Sequence, residues 1–414
     1  MKIIILCISY FLSLHVVHAQ LFVSSGGFFN YQVGDTLYVG GDILFGPGGY
    51  INNDGIIIVE GDWINNSGTP GHVGNGTVIF VGSNPIIGGN TESNFGTLKF
   101  DDPTEATLEN NIHISNTLVL NNTMLTTNDH TVHVQNTDLS AITWENGFVN
   151  TNNLGSGLIR TMSKLGQYYY PVGSENISMT YRAVMMSLQE ADTNIYAVRF
   201  AHVDPTFDYG MSIQGLIGGF DISNKDPSIK TICSDYYFNI SKIEQRSAVD
   251  INLLIQDIDG EYDELVYYNS NGGKWETTPS VWDYNYSGPS SLSNPNQRVQ
   301  SQLENNVSDI YALAQKNQLD LDVPNGFSPN GDGVNEFFEV IGLDDYPQNT
   351  LSIYNRWGDL VYTATPYMND WYGQSPDAKV KFSGHEVVEG TYFFILELGN
   401  DKEPIRGSVE LRKD

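Results

Sequence analysis

The feature that most constrains this chain is a rhythm of short apolar runs, cut by Asn and Gly, from Gln20 to about Ile159. Leu37-Tyr38-Val39, Ile43-Leu44-Phe45, Ile56-Ile57-Ile58-Val59 and Val78-Ile79-Phe80 are too short for helices and rich in β-branched residues. Such runs read as strands. Ile112 and Ile114 share a strand face, as do Leu118 and Leu120, then Val132 and Val134, because successive strand side chains alternate. Asn in the gaps tolerates left-handed backbone and bonds locally. Strand, turn and strand at short intervals, with one apolar face, is how a β-solenoid stacks its rungs. The repeat is irregular, so an antiparallel sandwich is the alternative.

The rest of the chain is also β in texture. Helical patterning is nearly absent, while glycine reaches 41 residues and aromatics 12%. Between Gln20 and Ile159 the only basic residue is Lys99; from about Arg160, Lys and Arg return and the strands lengthen. Gln167 to Gly173, Ile195 to Phe200, Tyr236 to Ile240, Ile251 to Ile255, Leu265 to Tyr268 and Ile310 to Ala314 predict a second all-β domain, a sandwich over residues 160–316. The polar stretch Tyr284 to Ser301 is too long for a hairpin and reads as a surface insertion. A short link, Lys316 to Pro324, leads to a third domain over residues 318–414.

The N-terminus has the form of a secretory signal peptide: Met1-Lys2, an apolar run from Ile3 to about Val17, and Val17-His18-Ala19 before Gln20. Cleavage is expected after Ala19. The run is shorter than the ~20 residues a spanning helix needs, and no later segment is apolar enough to span. Cys7 lies too early in the run for a lipoprotein cleavage site. That leaves Cys233 alone in the mature chain, so there is no internal disulfide framework; a small buried apolar role fits it best. The formal charge of −29 repels nucleic-acid backbones and anionic lipid. Divalent cations are more plausible neighbours.

The last quarter carries several separate motifs in order. Gly326-Phe327-Ser328-Pro329-Asn330-Gly331-Asp332-Gly333-Val334-Asn335-Glu336-Phe337-Phe338 comes first. Leu351-Ser352-Ile353-Tyr354-Asn355-Arg356-Trp357-Gly358, Val361-Tyr362, Trp371, Glu389-Gly390-Thr391-Tyr392-Phe393-Phe394 and Gly407-Ser408-Val409-Glu410-Leu411 follow. This segment resembles the gliding motility-associated C-terminal domain of Bacteroidetes, the type B sorting domain of the type IX secretion system. Glu336 stands where Asp is common in that family, Tyr372 likewise, and Val387-Val388 where a Pro is frequent. The resemblance implies export to the cell surface, recognition by the type IX translocon, and a PorP/SprF-type outer-membrane β-barrel as partner. By size and strand count this domain reads as Ig-like. Phe337 to Ile341, Leu351 to Asn355, Leu360 to Thr363, Val380 to Phe382, Tyr392 to Leu398 and Gly407 to Leu411 are its expected strands. Asn355 to Asp359 is a tight hairpin with Gly358 free to take positive φ, and Ile353 and Tyr354 should face opposite sides.

Two stretches of this domain are candidate partner-binding sites. Asn330, Gly331, Asp332, Gly333 and Asn335 pack amide and carboxylate oxygens between glycines. Such a loop could hold Ca²⁺, but it lacks EF-hand spacing and a closing Glu, and an Asx-type turn explains it better. Arg356, Trp357 and Gly358 put a fixed charge beside a flat aromatic on a turn, a pairing that dominates interface anchors and also braces hairpins by cation–π packing.

Other chemistry is thinly marked. His130 and His133 fall on opposite faces of a strand, so they cannot chelate one ion. Asp101, Asp102, Glu105 and Glu109 could supply a glycosidase carboxylate pair, but in a chain with 49 acids proximity means little. A lyase acting on uronates would need more cations than Lys99. Nucleophile-elbow, phosphate-loop and zincin signatures are missing. Trp63, Trp144, Trp275 and Trp282 could stack on sugars, with Trp282 the best placed, though core packing suits each. Asp35-Thr36-Leu37 resembles a short bacterial O-glycosylation site. The expected protein is therefore a surface module, structural or adhesive, without catalysis and with surface glycans as further partners. The alternative is a secreted carbohydrate-binding or carbohydrate-active enzyme.

Overall fold

The computed structural model describes residues 3–4, 20–24, 26–69, 71–101, 103–175, 180–213, 215–255, 262–283, 297–301, 309–317, 321–375, 387–399 and 403–413. Among them there is no α-helix; one 3₁₀ turn, Leu343–Asp345, is the only helical element. The chain divides into two compact units, Met1–Asn317 and Gln318–Asp414.

The Asn- and Gly-punctuated region is a β-solenoid. Its first face stacks Thr36–Val39, Ile56–Val59, Thr77–Phe80, Ser93–Phe100, Ile112–Val119, Thr131–Val134 and Gly157–Met162 as parallel strands. Its second face runs in the same sense from Leu21–Val23 to Val172–Ser174, giving roughly seven turns. Among the described residues, a third face of three strands, Phe28–Tyr31, Tyr50–Asn53 and His72–Val73, belongs to the early turns.

Register explains the sequence rhythm. Leu37, Ile57, Val78, Leu98 and Leu118 lie in one paired column and are all buried. Ile112, Ile114, Leu120, Val132 and Val134 are buried likewise, as the alternation requires. Each turn alone has too little apolar surface to be stable, and stacking supplies it. At corners, Asn84, Asn121 and Asn128 take φ of 51°, 45° and 49°, conformations that Asn adopts more readily than most residues. Side-chain bonds between neighbouring turns join residues 20 to 24 apart in sequence, such as Asn136 to Asn116 and Asn146 to Asn122.

The first face does not stop at Gly157–Met162. Its next strand, Asn194–Ala201, pairs antiparallel, and Tyr237–Glu244, Ile310–Lys316, Glu264–Asn269 and Lys274–Thr277 continue the sheet. A second antiparallel sheet holds Gln167–Tyr170, Val184–Leu188, Val249–Ile255, Gln297–Ser301 and Ser280–Asp283. Tyr168, Met186, Phe238 and Ile251 belong to the same buried cluster as Leu118 and Val134, so one core runs from the solenoid into the antiparallel region. Buried Arg199 adds a polar tie: its Nη1 donates to Asp208 Oδ2 at 2.6 Å and its Nε to Asn153 O at 2.9 Å. Tyr237 also donates to Asp208, at 2.6 Å.

Two expectations change here. Gln167 to Gly173 is not one strand: it breaks at Pro171 into Gln167–Tyr170 and Val172–Ser174, which join different sheets. Proline has no N–H to offer a ladder. Gln297–Ser301, read as part of an insertion, is a strand between Val249–Ile255 and Ser280–Asp283; residues 284–296 lie outside the described residues. The apolar leader over residues 5–19, with Cys7, also lies outside them.

The second unit is built on a five-stranded sheet in the order Gly326–Phe327, Ile405–Leu411, Gly390–Glu397, Thr350–Tyr354, Leu360–Ala364. Its own core contains Phe327, Phe338, Leu351, Ile353, Trp371, Phe394 and Val409. Ile353 is buried and Tyr354 half-buried, as alternation predicts. Phe337 to Ile341 is not a strand; only an isolated bridge joins Ile341 to Asp322. Phe338 instead enters the core through ring contacts with Trp371 and Phe394, at 6.3 and 5.3 Å. The expected strand at Val380 to Phe382 falls outside the described residues.

Candidate functional site

The two candidate stretches of the tail lie 20 residues or more apart in sequence but emerge at the same end of its sheet. Gly326–Phe327 runs parallel to Ile405–Leu411, so the loop after Phe327 leaves beside Leu411. Gly390 pairs with Leu411, and Tyr354, at the end of its strand, pairs with Phe393. The turn after Tyr354 therefore points the same way as the loop after Phe327. Three strand spacings separate them, roughly 14 Å.

Within the loop, one side-chain oxygen each of Asn330, Asp332 and Glu336 accepts from the backbone. Asp332 N–H donates to Asn330 Oδ1 at 3.0 Å, Val334 N–H to Asp332 Oδ1 at 2.8 Å, and Gly333 N–H to Glu336 Oε1 at 2.8 Å. Asn330 Nδ2 donates to Asp332 Oδ2 at 3.2 Å. Ser328 N–H closes the loop on Asn335 O at 2.7 Å. These are consecutive Asx turns. Gly331 and Gly333 have φ of 85° and 84°, yet nothing lies within 4 Å of where a Cβ would sit. Glycine is needed there for backbone conformation, not for space. Asn335 shares the left-handed region, at 53°.

The turn is organised by a residue that the sequence reading did not single out. Asn355 is buried, and its Oδ1 accepts from the N–H groups of Trp357 and Asp359, both at 2.9 Å. Its Nδ2 donates to Asp359 Oδ2 at 3.0 Å, and Gly358, at φ 85°, donates to Asn355 O at 3.0 Å. An Asn three residues before a turn glycine was the available signal. With Asn355 holding the backbone, Trp357 is free to project: it is 73% exposed, with the Arg356 guanidinium 5.3 Å from its ring. Val334, Leu360 and Val388 are exposed in the loops and strand start at this same end. Tyr392 has its hydroxyl pKa raised by burial, with Arg356 opposing the shift.

The other candidates scatter. His130 precedes its strand, and its N–H donates to Thr127 O at 2.9 Å. His133 meets His113 of the preceding turn instead, ring centroids 5.7 Å apart. Burial, then His113, lowers its pKa to about 4. Asp101 pairs with Lys99 at 2.8 Å, and Asp102 lies outside the described residues. Glu105 is half-buried on a second-face strand, with Glu109 exposed just beyond it. Trp63 and Trp275 are fully buried and so are not sugar platforms. Trp63 fills the solenoid between Phe45 and Phe95, at 4.9 and 5.2 Å. Trp144 and Trp282 are half-buried. Cys233 is a buried free thiol whose pKa is raised by burial. Among the described residues, no three His, Cys, Asp or Glu side chains group as a metal set, and no helix is long and apolar enough to cross a membrane.

Residues 321–411 match the family model described as CHU_C Type IX secretion signal domain, the C-terminal sorting domain of the gliding motility-associated family. The match covers both candidate loops and all five strands of the second unit. A type IX secretion signal indicates export to the cell surface or the extracellular space. No curated protein and no solved structure matches the chain.

Proposed function

We propose that the tail is read by the type IX translocon and a PorP/SprF-type outer-membrane barrel through the end of its sheet that carries both loops. The observation that carries this reading is their convergence. Asn330 to Asn335 and Arg356 to Gly358 are separated in sequence, yet fold to one end, where Trp357 stands 73% exposed on a turn held by buried Asn355. Aromatic and Arg side chains on a rigid support are the usual anchors of an interface. One side-chain oxygen each of Asn330, Asp332 and Glu336 accepts from a backbone N–H and shapes the loop. The loop then acts by shape, and Ca²⁺ is not needed to hold it.

In this reading residues 1–19 are a cleaved signal peptide that delivers the chain to the periplasm, and residues 20–316 are cargo. The cargo serves as a structural or adhesive surface module without catalysis. Glu105 is half-buried on a second-face strand and Glu109 is exposed just beyond it. The experiment fuses residues 318–414 behind a signal peptide and a reporter, in cells with the secretion system and matching barrel. The reporter should appear outside the cell. Retention in the periplasm would defeat the sorting claim.

A further inference from the structure

The third face of the solenoid turns an uncharged, aromatic surface outward. Phe28–Tyr31 pairs with Tyr50–Asn53, and Tyr50–Asn53 with His72–Val73. Ile51, Asn53 and His72 are buried. Strand alternation and register therefore point Phe28, Asn30, Tyr50, Asn52 and Val73 away from the core. None of these five carries a charge.

Phe28 and Tyr50 are cross-strand partners whose rings stack at 5.5 Å with 10° between their planes. Phe28–Tyr31 is the end strand of its sheet, so Tyr50 backs one side of the Phe28 ring and no further strand of that sheet backs the other. Phe28 is accordingly 62% exposed, and Tyr50 and Val73 are exposed beside it. Gly26-Gly27 leads into Phe28 and Gly48-Gly49 into Tyr50, so the residues next to both rings have no side chains to crowd them. On the same outward surface Asn52 Nδ2 donates to Asn30 Oδ1 at 2.7 Å. That bond holds the two amides together and leaves Asn30 Nδ2 as a donor and Asn52 Oδ1 as an acceptor.

An exposed aromatic pair beside a matched donor and acceptor narrows the ligand. An anion would find no Lys or Arg among the five outward side chains. No trio of metal-ligating side chains forms among the described residues. A wholly apolar partner would cover the amide pair and leave its donor and acceptor unmatched, which is costly. A pyranose ring meets both demands: the C–H groups of one face lie against an electron-rich aromatic face, and its hydroxyls both donate and accept. We infer that the outward surface of the third face binds a neutral saccharide unit, with Phe28 and Tyr50 as its platform and Asn30 and Asn52 as its polar contacts. This deepens the adhesive reading of residues 20–316 and rests on it for the setting. Attachment of cells lacking the protein tests that reading, whereas titration of the chain with sugars tests this surface.

The test is calorimetric titration of the full chain with glucose, galactose, mannose, N-acetylglucosamine and their disaccharides. Glucuronate and Zn²⁺ are titrated alongside, and light scattering follows self-association. At least one neutral sugar should bind. Phe28→Ala and Tyr50→Ala should each weaken it at least tenfold, and Asn30→Ala and Asn52→Ala at least threefold, while Trp282→Ala leaves it unchanged. If an alanine variant fails to fold, Phe28→Leu, which keeps apolar bulk without an aromatic face, should still weaken binding tenfold, and Phe28→Tyr should retain it. Silence from every neutral sugar, unchanged affinity in the folded variants, or binding of Zn²⁺ or glucuronate in place of neutral sugars would overturn the inference. So would self-association that Phe28→Ala abolishes, since a second copy would then be what covers the platform.

Discussion

The solenoid and the tail solve the same problem, how to bury strands that are individually too short, in opposite ways. In the solenoid each position repeats the one before: Leu37, Ile57, Val78, Leu98 and Leu118 form a column, each paired with the member before and after it. In the tail nothing repeats. Trp371 alone meets Phe327, Tyr392 and Tyr362 at 5.1, 5.9 and 6.1 Å and donates from Nε1 to Gln374 O at 2.9 Å. Stability in a stacked array is close to a sum of local terms; in a single small core it is concentrated in a few large side chains.

The largest expected effect tests that contrast directly. Trp371→Ala should cost about 3–5 kcal/mol. That is a large share of what a unit of this size holds, so calorimetry should find the tail transition lost and the transition of residues 20–317 unmoved. A joint shift of both transitions would show that the two units do not melt separately.

The next effect belongs to the solenoid alone. Burial lowers the His72 pKa from 6.5 to about 4. The folded state therefore holds this ring neutral where the unfolded chain would protonate it. The sign follows: stability is complete above pH 6.5, is lost as the pH falls toward about 4, and then levels off. The loss from this group is about 3 kcal/mol by linkage. His133, lowered to about 4 by burial and by His113, acts in the same window. Denaturant titrations between pH 7 and pH 4 should show the solenoid weakening and His72→Phe flattening the slope, while the tail changes much less over that range.

The smallest effect on stability should be the largest on function. Trp357→Ala removes a ring that is 73% exposed, so folding should change by only about 0.5 kcal/mol or less. Export of the full chain, followed by surface labelling, should nevertheless drop several-fold. Normal export of this variant would move the docking surface away from the turn.

Legibility differed between the two regions for the same reason that their energetics differ. The solenoid columns were readable because strand alternation leaves a pattern in any window, and Asn at the corners marks where the chain bends. Irregular spacing left a sandwich as an alternative, and the break at Pro171 was hidden in an unbroken aromatic run. In the tail the motif residues stood out, but Asn355 did not. Its role depends on three hydrogen bonds closing around one side chain, which the Asn-to-Gly spacing hints at but does not specify. Trp63 and Trp275 are ambiguous as letters, because a large aromatic suits a core and a platform equally. Phe337 to Ile341 has strand composition, yet Phe338 finds a better place among Trp371 and Phe394 than in a ladder.

By itself, then, the sequence determined the all-strand character, the stacked rungs between Gln20 and Ile159, and the sorting segment, since each is written in local order: alternation, turn chemistry and contiguous motifs. Only the tertiary structure decided that the solenoid's first sheet runs on into antiparallel strands. It alone brought Asn330 and Trp357 to one end of a sheet, and set His133 against His113 of the preceding turn. Those are relations between residues distant along the chain, set by which strand edges pair and which side chains fill the space left over, and a linear pattern does not carry them.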